Sequence, residues 1–189
     1  MKAVFASIAM SATLAAFAVS GSEALAALPI GAAAPDFVGK ASLGGKEFDF
    51  SLSAALKKGP VVLYFYPAAF TKGCTIEAHD FAEATAKFKA LGAAVIGVSH
   101  DNIATLDKFS VSECRKKFAV VADPTEVVIK EYDAVLAKNP AYADRTSYVI
   151  SPDGKVLFTY TNLDPDQHVA LTLAAVKKWK SSKSASASP

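Results

Sequence analysis

A cysteine in this chain lies where an apolar strand gives way to a helix. Residues 61–66 form a nearly continuous apolar run that ends at Pro67, and Cys74 follows seven residues later, where a helical pattern begins. Unpaired backbone N–H groups and the helix dipole favour a thiolate at such a position. Thr71 lies three residues before Cys74, which predicts that it is the N-cap residue and that the two side chains face each other as in a capping box. The pattern therefore predicts thiolate chemistry at Cys74.

Alternating strands and helices must position this cysteine. Strands are predicted at residues 37–41, 46–50, 61–66, 94–99, 118–121, 145–151 and 156–160. Helices are predicted at residues 51–58, 74–91, 102–117, 124–132 and 164–180. This order of elements predicts an α/β fold with a mixed central sheet, helices on both of its faces and an N-terminal β-hairpin.

Both ends of the chain are predicted to lie outside this domain. Lys2, the apolar residues 3–19 and the small residues 24–26 are typical of an export signal cleaved before Ala27, with an uncleaved membrane anchor as the alternative. One domain is predicted at 27–181, and a disordered tail at 182–189. We therefore expect an exported protein, periplasmic or in another lumen, without stable membrane association after cleavage.

Composition and spacing argue against several kinds of site. The net charge is +2 with both signs interspersed, which argues against a nucleic-acid partner. The two cysteines, Cys74 and Cys114, form no CxxC pair, and no Cys/His cluster has the spacing of metal ligands. The three histidines, His79, His100 and His168, are scattered, and each is expected at the surface or in a hydrogen bond.

Five segments of the chain match one known family in the correct order. They are Gly31-x-x-Ala34-Pro35-x-Phe37, Pro67-x-x-x-Thr71-x-x-Cys74, Gly97-Val98-Ser99-His100-Asp101, Ala122-Asp123-Pro124 and Arg145-Thr146-Ser147-Tyr148. On these residues the chain resembles the peroxiredoxins, and most of all their bacterioferritin-comigratory (Q-type) subgroup. The resemblance covers nearly all of the predicted domain.

The resemblance implies a thioredoxin-like fold and a thiol peroxidase without a metal or another cofactor. Cys74 matches the peroxidatic cysteine, which a hydroperoxide oxidises to a sulfenic acid. Thr71, Pro67 and Arg145 match the rest of the active site, and Glu77, one helical turn beyond Cys74, matches an acidic residue that holds the arginine. The implied partners are a hydroperoxide substrate and a thiol reductant protein, either thioredoxin-like or a periplasmic thiol carrier. We expect a monomer or a weak homodimer.

A fixed cation near the sulfur is required on energetic grounds. A free thiol is only about 3% ionised at neutral pH, and lowering a thiol pKa from ~8.5 to roughly 6 takes about 3.4 kcal/mol. A helix terminus typically supplies only ~0.3–1 kcal/mol. Arg145 is therefore expected to approach the thiolate, and also to stabilise the charge that develops on the leaving oxygen of the peroxide.

Cys114 has two interpretations. Many Q-type relatives carry the resolving cysteine five residues after the peroxidatic one, where this chain has His79. Cys114, predicted near the end of the helix at 102–117, is favoured as the resolving cysteine of a Cys74–Cys114 disulfide that forms after local unfolding. The alternative is a buried structural thiol, with an external thiol completing a one-cysteine cycle.

Two other functions stay open at this point. One is a thioredoxin-like redox sensor or binding module without turnover. The other is a cysteine hydrolase or acyl transferase, in which Cys74 would pair with His100 and an acid such as Asp101.

Overall fold

The computed structural model describes residues 27–186, so the predicted export signal and residues 187–189 lie outside the described part. The strands are β1 (Val38–Leu43), β2 (Lys46–Ser51), β3 (Val61–Phe65), β4 (Ala94–Ser99), β5 (Ala119–Ala122), β6 (Thr146–Ile150) and β7 (Val156–Thr161). The helices are α1 (Leu52–Leu56), α2 (Lys72–Ala90), α3 (Ile103–Ser112), α4 (Val127–Glu131) and α5 (His168–Ser186). Within residues 27–186, no helix is both long and apolar enough to cross a membrane.

The strands of the described chain form one mixed sheet in the order β2-β1-β5-β4-β3-β6-β7. The central strands β3, β4 and β5 are parallel, whereas β1, β2, β6 and β7 join by antiparallel pairing. The N-terminal hairpin turns at Gly44 and Gly45, with φ of 59° and 77°, which glycine adopts without steric cost. The predicted mixed sheet and N-terminal hairpin are confirmed.

Helices cover both faces of the sheet, as predicted. Side chains of α1 and α4 belong to one apolar cluster, and those of α2, α3 and α5 belong to another. All five residues of β3 are buried, with Leu63 in the first cluster and Val62 and Tyr64 in the second. This explains why β3 is apolar throughout rather than alternating. It also places the residues that follow β3 at the end of the sheet where α2 starts.

The second cysteine lies outside the helix predicted to carry it. Helix α3 ends at Ser112, and Cys114 occupies the turn that follows. Arg115 and Lys116 take φ of 51° and 57°, so the backbone leaves the right-handed helical region directly after Cys114. The amide of Cys114 donates back to the carbonyl of Phe109, in the manner of a helix C-terminal motif. The prediction of a helix through residue 117 was therefore wrong.

The C-terminal helix is longer than predicted at its end. Helix α5 continues to Ser186, five residues into the segment predicted to be disordered. Hydroxyl groups of Ser181, Ser182 and Ser184 donate to backbone carbonyls three or four residues earlier in the same helix. Composition alone predicted disorder here, and for residues 182–186 that prediction was wrong.

Candidate active site

Cys74 is the third residue of α2, and only 1% of its surface is exposed. Thr71 is the N-cap residue, in extended conformation with φ −76° and ψ 151°. The amides of Gly73 and Cys74 fall among the first N–H groups of the helix, which have no acceptor inside it. The positive end of α2 therefore lies at the sulfur, which is a free thiol.

Arg145 brings a second source of positive charge to the sulfur. It lies one residue before β6, it is 3% exposed, and its Nη2 donates to Sγ of Cys74 at 3.5 Å. Its Nη1 donates to Oε2 of Glu77, and its Nε donates to the carbonyl of Leu163 at 2.9 Å. Three acceptors in three directions fix the plane of the guanidinium group. Arg145 thus presents a fixed cation to Cys74.

Gly73 allows the arginine to approach the helix start. A Cβ atom at this position would lie 2.9 Å from Nη2 of Arg145. Such a contact is closer than van der Waals packing permits, so a larger residue would displace the guanidinium group. The group that needs this space beside Gly73 is the guanidinium group of Arg145.

A buried network continues from Glu77 away from the sulfur. Glu77 and His168 are both 0% exposed, and Nδ1 of His168 lies 3.6 Å from Oε1 of Glu77. Nε2 of His168 lies 2.9 Å from the carbonyl oxygen of Asn162, so this nitrogen carries the proton. The hydroxyl of Ser147 lies 2.8 Å from Nδ1. Cys74, Arg145, Glu77, His168 and Ser147 therefore form one connected set, which we call the arginine network.

Burial shifts the titration of both ionisable partners at the far end of this network. Removal from water raises the pKa of Glu77 above its usual range, although Arg145 acts in the opposite direction. Burial lowers the pKa of His168 to about 4, against the influence of its hydrogen bond to Asn162. Both shifts favour the uncharged form of the side chain, which leaves Arg145 as the main fixed charge beside Cys74.

Sequence reasoning missed the roles of His168 and Ser147 in this network. Ser147 lies two residues after Arg145, so on an extended segment both side chains point to the same face of the sheet. That spacing was a usable signal for Ser147. His168 had no comparable signal, because its place depends on how α5 packs against β6 and β7.

Two predicted site residues, Thr71 and Pro67, make no hydrogen bond to the sulfur in the described part of the chain. The hydroxyl of Thr71 donates to the carbonyl of Ala68 at 3.0 Å and makes no cap hydrogen bond. The predicted capping-box geometry between Thr71 and Cys74 is therefore wrong, because the turn before the helix engages the hydroxyl. Pro67 is half-buried two residues after β3, in the loop that leads to Thr71.

Cys114 lies in the same apolar cluster as Cys74 and is also a free thiol. Burial, with a smaller contribution from Glu113, raises the pKa of Cys114 well above its usual range. The turn that holds it is tied to α2 by His79, whose Nε2 lies 2.8 Å from Oε2 of Glu113. In the reduced structure, Cys114 is therefore a protonated, buried thiol.

The structure does not bring His100 and Asp101 into hydrogen-bonding contact with Cys74, as a cysteine hydrolase would require. The ring of His100 packs edge-on against Tyr142 at 4.4 Å, and Asp101 accepts hydrogen bonds from Ala69 and Ser99. Neither residue hydrogen-bonds to Cys74 in the described part of the chain. Across residues 27–186, no group of three or more His, Cys, Asp or Glu side chains is arranged to hold a metal ion.

The fold and the site define a class of protein, the thiol peroxidases of thioredoxin-like fold with a buried cysteine at a helix start beside an arginine. Within that class, the AhpC/TSA family model matches residues 30–159. The chain belongs to this family. Peroxiredoxins are thiol peroxidases, so the family places the chain among the oxidoreductases that act on peroxides.

Individual relatives agree with this family. The chain is 34% identical over 149 residues to "Peroxiredoxin Q, chloroplastic" of Triticum aestivum, covering 74% of this chain and 68% of the relative. It is 33% identical over 154 residues to "Putative peroxiredoxin bcp" of Helicobacter pylori, and the match covers 79% of this chain and 98% of the relative. The crystal structure of peroxidoxin BcpB from Mycobacterium tuberculosis superposes with a TM-score of 0.72 at 30% identity. The superposition covers 79% of this chain and 96% of that one. The predicted Q-type subgroup and the thioredoxin-like fold are thereby confirmed.

Proposed function

We propose that the protein reduces hydrogen peroxide and organic hydroperoxides at Cys74. The observation that carries this proposal is the contact between Nη2 of Arg145 and Sγ of Cys74 at the start of α2. Two positive features, the helix end and the guanidinium group, meet at one buried sulfur. A thiolate held there by hydrogen-bond donors is suited to attack a neutral, polarisable O–O bond.

In the proposed reaction, the thiolate of Cys74 attacks one peroxide oxygen. A sulfur–oxygen bond forms, the O–O bond breaks, and both bonding electrons leave with the distal oxygen. That oxygen takes up one proton and departs as water or an alcohol, while Cys74 becomes a sulfenic acid. Arg145 and the amides of Gly73 and Cys74 are placed to stabilise the developing negative charge. For Thr71 to help stabilise this charge, its hydroxyl must turn away from the carbonyl of Ala68.

For the second half of the cycle, we favour a disulfide between Cys74 and Cys114. A disulfide needs the two Cα atoms within about 4.4–6.8 Å, with both sulfur atoms free to meet. Both thiols are buried in the reduced structure, so the first turn of α2 and the turn at Cys114 must loosen. The contact between His79 and Glu113 joins these two regions and would have to break. The alternative is a one-cysteine cycle, in which an external thiol reduces the sulfenic acid.

The reductant and the location of the protein belong to the same proposal. A thiol protein, thioredoxin-like or a periplasmic carrier, would return the oxidised enzyme to its thiol form, acting on a monomer or weak dimer. The export signal predicted at residues 1–26 supports a periplasmic or other luminal location. N-terminal sequencing of the protein secreted by its native host tests this, since cleavage before Ala27 is expected.

Stopped-flow oxidation of the reduced protein tests the central step. Wild-type protein should consume hydrogen peroxide and an alkyl hydroperoxide with one sulfenic acid formed per chain, and Cys74→Ser should form none. Cys114→Ser serves as the matched control, because it should keep the first oxidation and lose the internal disulfide seen by non-reducing mass spectrometry. Peroxide consumption by Cys74→Ser at the wild-type rate would refute the proposal. Full turnover of Cys114→Ser with a dithiol donor would establish the one-cysteine cycle instead.

A further inference from the structure

The far end of the arginine network contains an unpaired buried oxygen. Oε1 of Glu77 has no hydrogen-bond partner, although its carboxyl group is completely buried and Oε2 is engaged by Arg145. A buried carboxylate oxygen without a partner is costly, so such an atom requires an explanation. Nδ1 of His168 lies 3.6 Å from this oxygen.

The protonation state of His168 shows that a proton is missing between Oε1 of Glu77 and Nδ1 of His168. Because Nε2 donates to the carbonyl of Asn162, a neutral ring presents the lone pair of Nδ1 to its surroundings. If Glu77 is ionised, two lone pairs face each other, and the hydroxyl proton of Ser147 can satisfy only one of them. The site lacks one proton, and adding it to the Glu77–His168 pair satisfies Oε1.

The charge balance of the network points the same way. With Cys74 and Glu77 both ionised, one buried guanidinium group would serve two anions, and the site would carry a net negative charge. Burying a net charge is expensive. With a proton on Glu77, the site is neutral and the thiolate is the only full negative charge in contact with Arg145.

We propose that His168 is a positioning residue, whose Nδ1 accepts a hydrogen bond from the protonated carboxyl group of Glu77 and so reserves the charge of Arg145 for Cys74. Because Nδ1 of the neutral ring has a single lone pair, the hydroxyl of Ser147 turns away from it when Glu77 donates. A closing movement of about half an ångström brings the 3.6 Å contact within hydrogen-bond range. The proposal rests on the proposed function for its meaning, since it names the residue that tunes the same thiolate.

The other charged groups near this pair do not supply the proton. Arg145 faces the pair from the loop before β6, and Asp164 faces His168 from the loop before α5. Asp80 faces Glu77 from the next turn of α2, and its negative charge adds to the tendency of Glu77 to stay protonated. Tyr160 of β7 packs its ring against His168 at 4.8 Å.

Two single variants and their double variant test this proposal. His168→Gln keeps a donor for the carbonyl of Asn162 and lacks the acceptor at Nδ1. We expect the pH of half-maximal alkylation of Cys74 by iodoacetamide to rise by about one unit, and oxidation by hydrogen peroxide to slow about tenfold at pH values well below the wild-type midpoint. In a Glu77→Gln background, His168→Gln should shift the alkylation midpoint by less than about 0.3 pH units and the oxidation rate by less than about twofold, because no competing carboxylate remains. His100→Gln, outside the network, is the control and should match wild type.

The outcomes separate this proposal from the function on which it rests. An unchanged alkylation profile in His168→Gln, or an equal shift in the Glu77→Gln background, overturns the role of His168. Infrared spectroscopy of the wild-type protein needs no variant of His168. A carboxylic acid carbonyl band at pH 7 that is lost in Glu77→Gln supports the proposal, and the absence of such a band overturns it. Alkylation and infrared spectra require no peroxide, so they stand even if peroxide reduction fails.

Discussion

Nη2 of Arg145 lies 3.5 Å from Sγ of Cys74, although 71 positions of sequence separate the two residues. The first turn of α2 carries the sulfur of this contact, and the loop before β6 carries the cation. Because β3 and β6 are antiparallel neighbours in the sheet, the residue before β6 lies at the end of β3 from which α2 departs. The sheet therefore aligns the two groups that favour ionised sulfur.

Replacing Arg145 with lysine should slow the oxidation of Cys74 by about 100-fold, the usual effect of losing one donor to a developing oxyanion. A lysine keeps the charge, but it cannot reach Cys74, Glu77 and the carbonyl of Leu163 with one planar group. Stopped-flow measurement with hydrogen peroxide gives the rate. Arg115→Lys, at an exposed arginine, is the matched control and should leave the rate unchanged. A wild-type rate for Arg145→Lys would show that charge alone suffices.

Gly73→Ala should reduce activity by displacing Arg145. Alanine in a helix is favoured over glycine by about 1 kcal/mol, which offsets part of the cost of moving the buried guanidinium group, so urea unfolding should still show a cooperatively folded protein. The added methyl group would lie 2.9 Å from Nη2 of Arg145 and push the guanidinium group away from Cys74. We expect peroxide oxidation to slow by about tenfold or more. Lys72→Ala, one residue earlier on the exposed surface of α2, provides the control, and equal rates in both variants would contradict the steric explanation.

His168 should make the protein sensitive to mild acid. Its pKa is about 4 in the folded state against 6.5 for an ordinary histidine, so between these values the unfolded state binds more protons. The stability contributed by the neutral ring is thus complete above about pH 6.5 and is lost as the pH falls to about 4. The difference amounts to about 3 kcal/mol.

Urea unfolding of wild type and His168→Gln across this pH range measures the effect. The gap in unfolding free energy between the two proteins should narrow as the pH falls, since glutamine does not titrate. A constant gap from pH 7 to pH 4 would mean that His168 titrates normally in the folded protein.

Breaking the contact between His79 and Glu113 should speed the formation of the Cys74–Cys114 disulfide. Glu113 precedes Cys114 directly, and His79 lies on α2 five residues beyond Cys74, so this contact holds together the two regions that must separate. Partly buried pairs of this kind contribute on the order of 1 kcal/mol, which corresponds to about a fivefold faster opening in Glu113→Gln. Quenched-flow alkylation and mass spectrometry after one equivalent of peroxide give the rate. Asp49→Asn, which breaks the distant Lys40–Asp49 pair, should have no effect.

Sequence determined the local features of this protein, because they depend on neighbouring residues. The apolar run at residues 61–66 fixed a strand buried on both faces, and the strand-to-helix junction fixed Cys74 in the first turn of α2. The order of strands and helices fixed a mixed sheet. The spacing around Thr71 correctly predicted an N-cap, but not the direction of its hydroxyl, which depends on the carbonyl of Ala68 in the preceding turn.

Only the tertiary structure decided which distant groups meet. The meeting of Arg145 with Cys74 was expected from family resemblance, yet its fixed plane depends on Glu77 and on the carbonyl of Leu163. The burial of His168 depends on α5 packing against the sheet, and the position of Cys114 depends on two residues with positive φ after α3. Such long-range contacts leave no periodic pattern in the chain. They arise from how the elements pack, which local spacing does not encode.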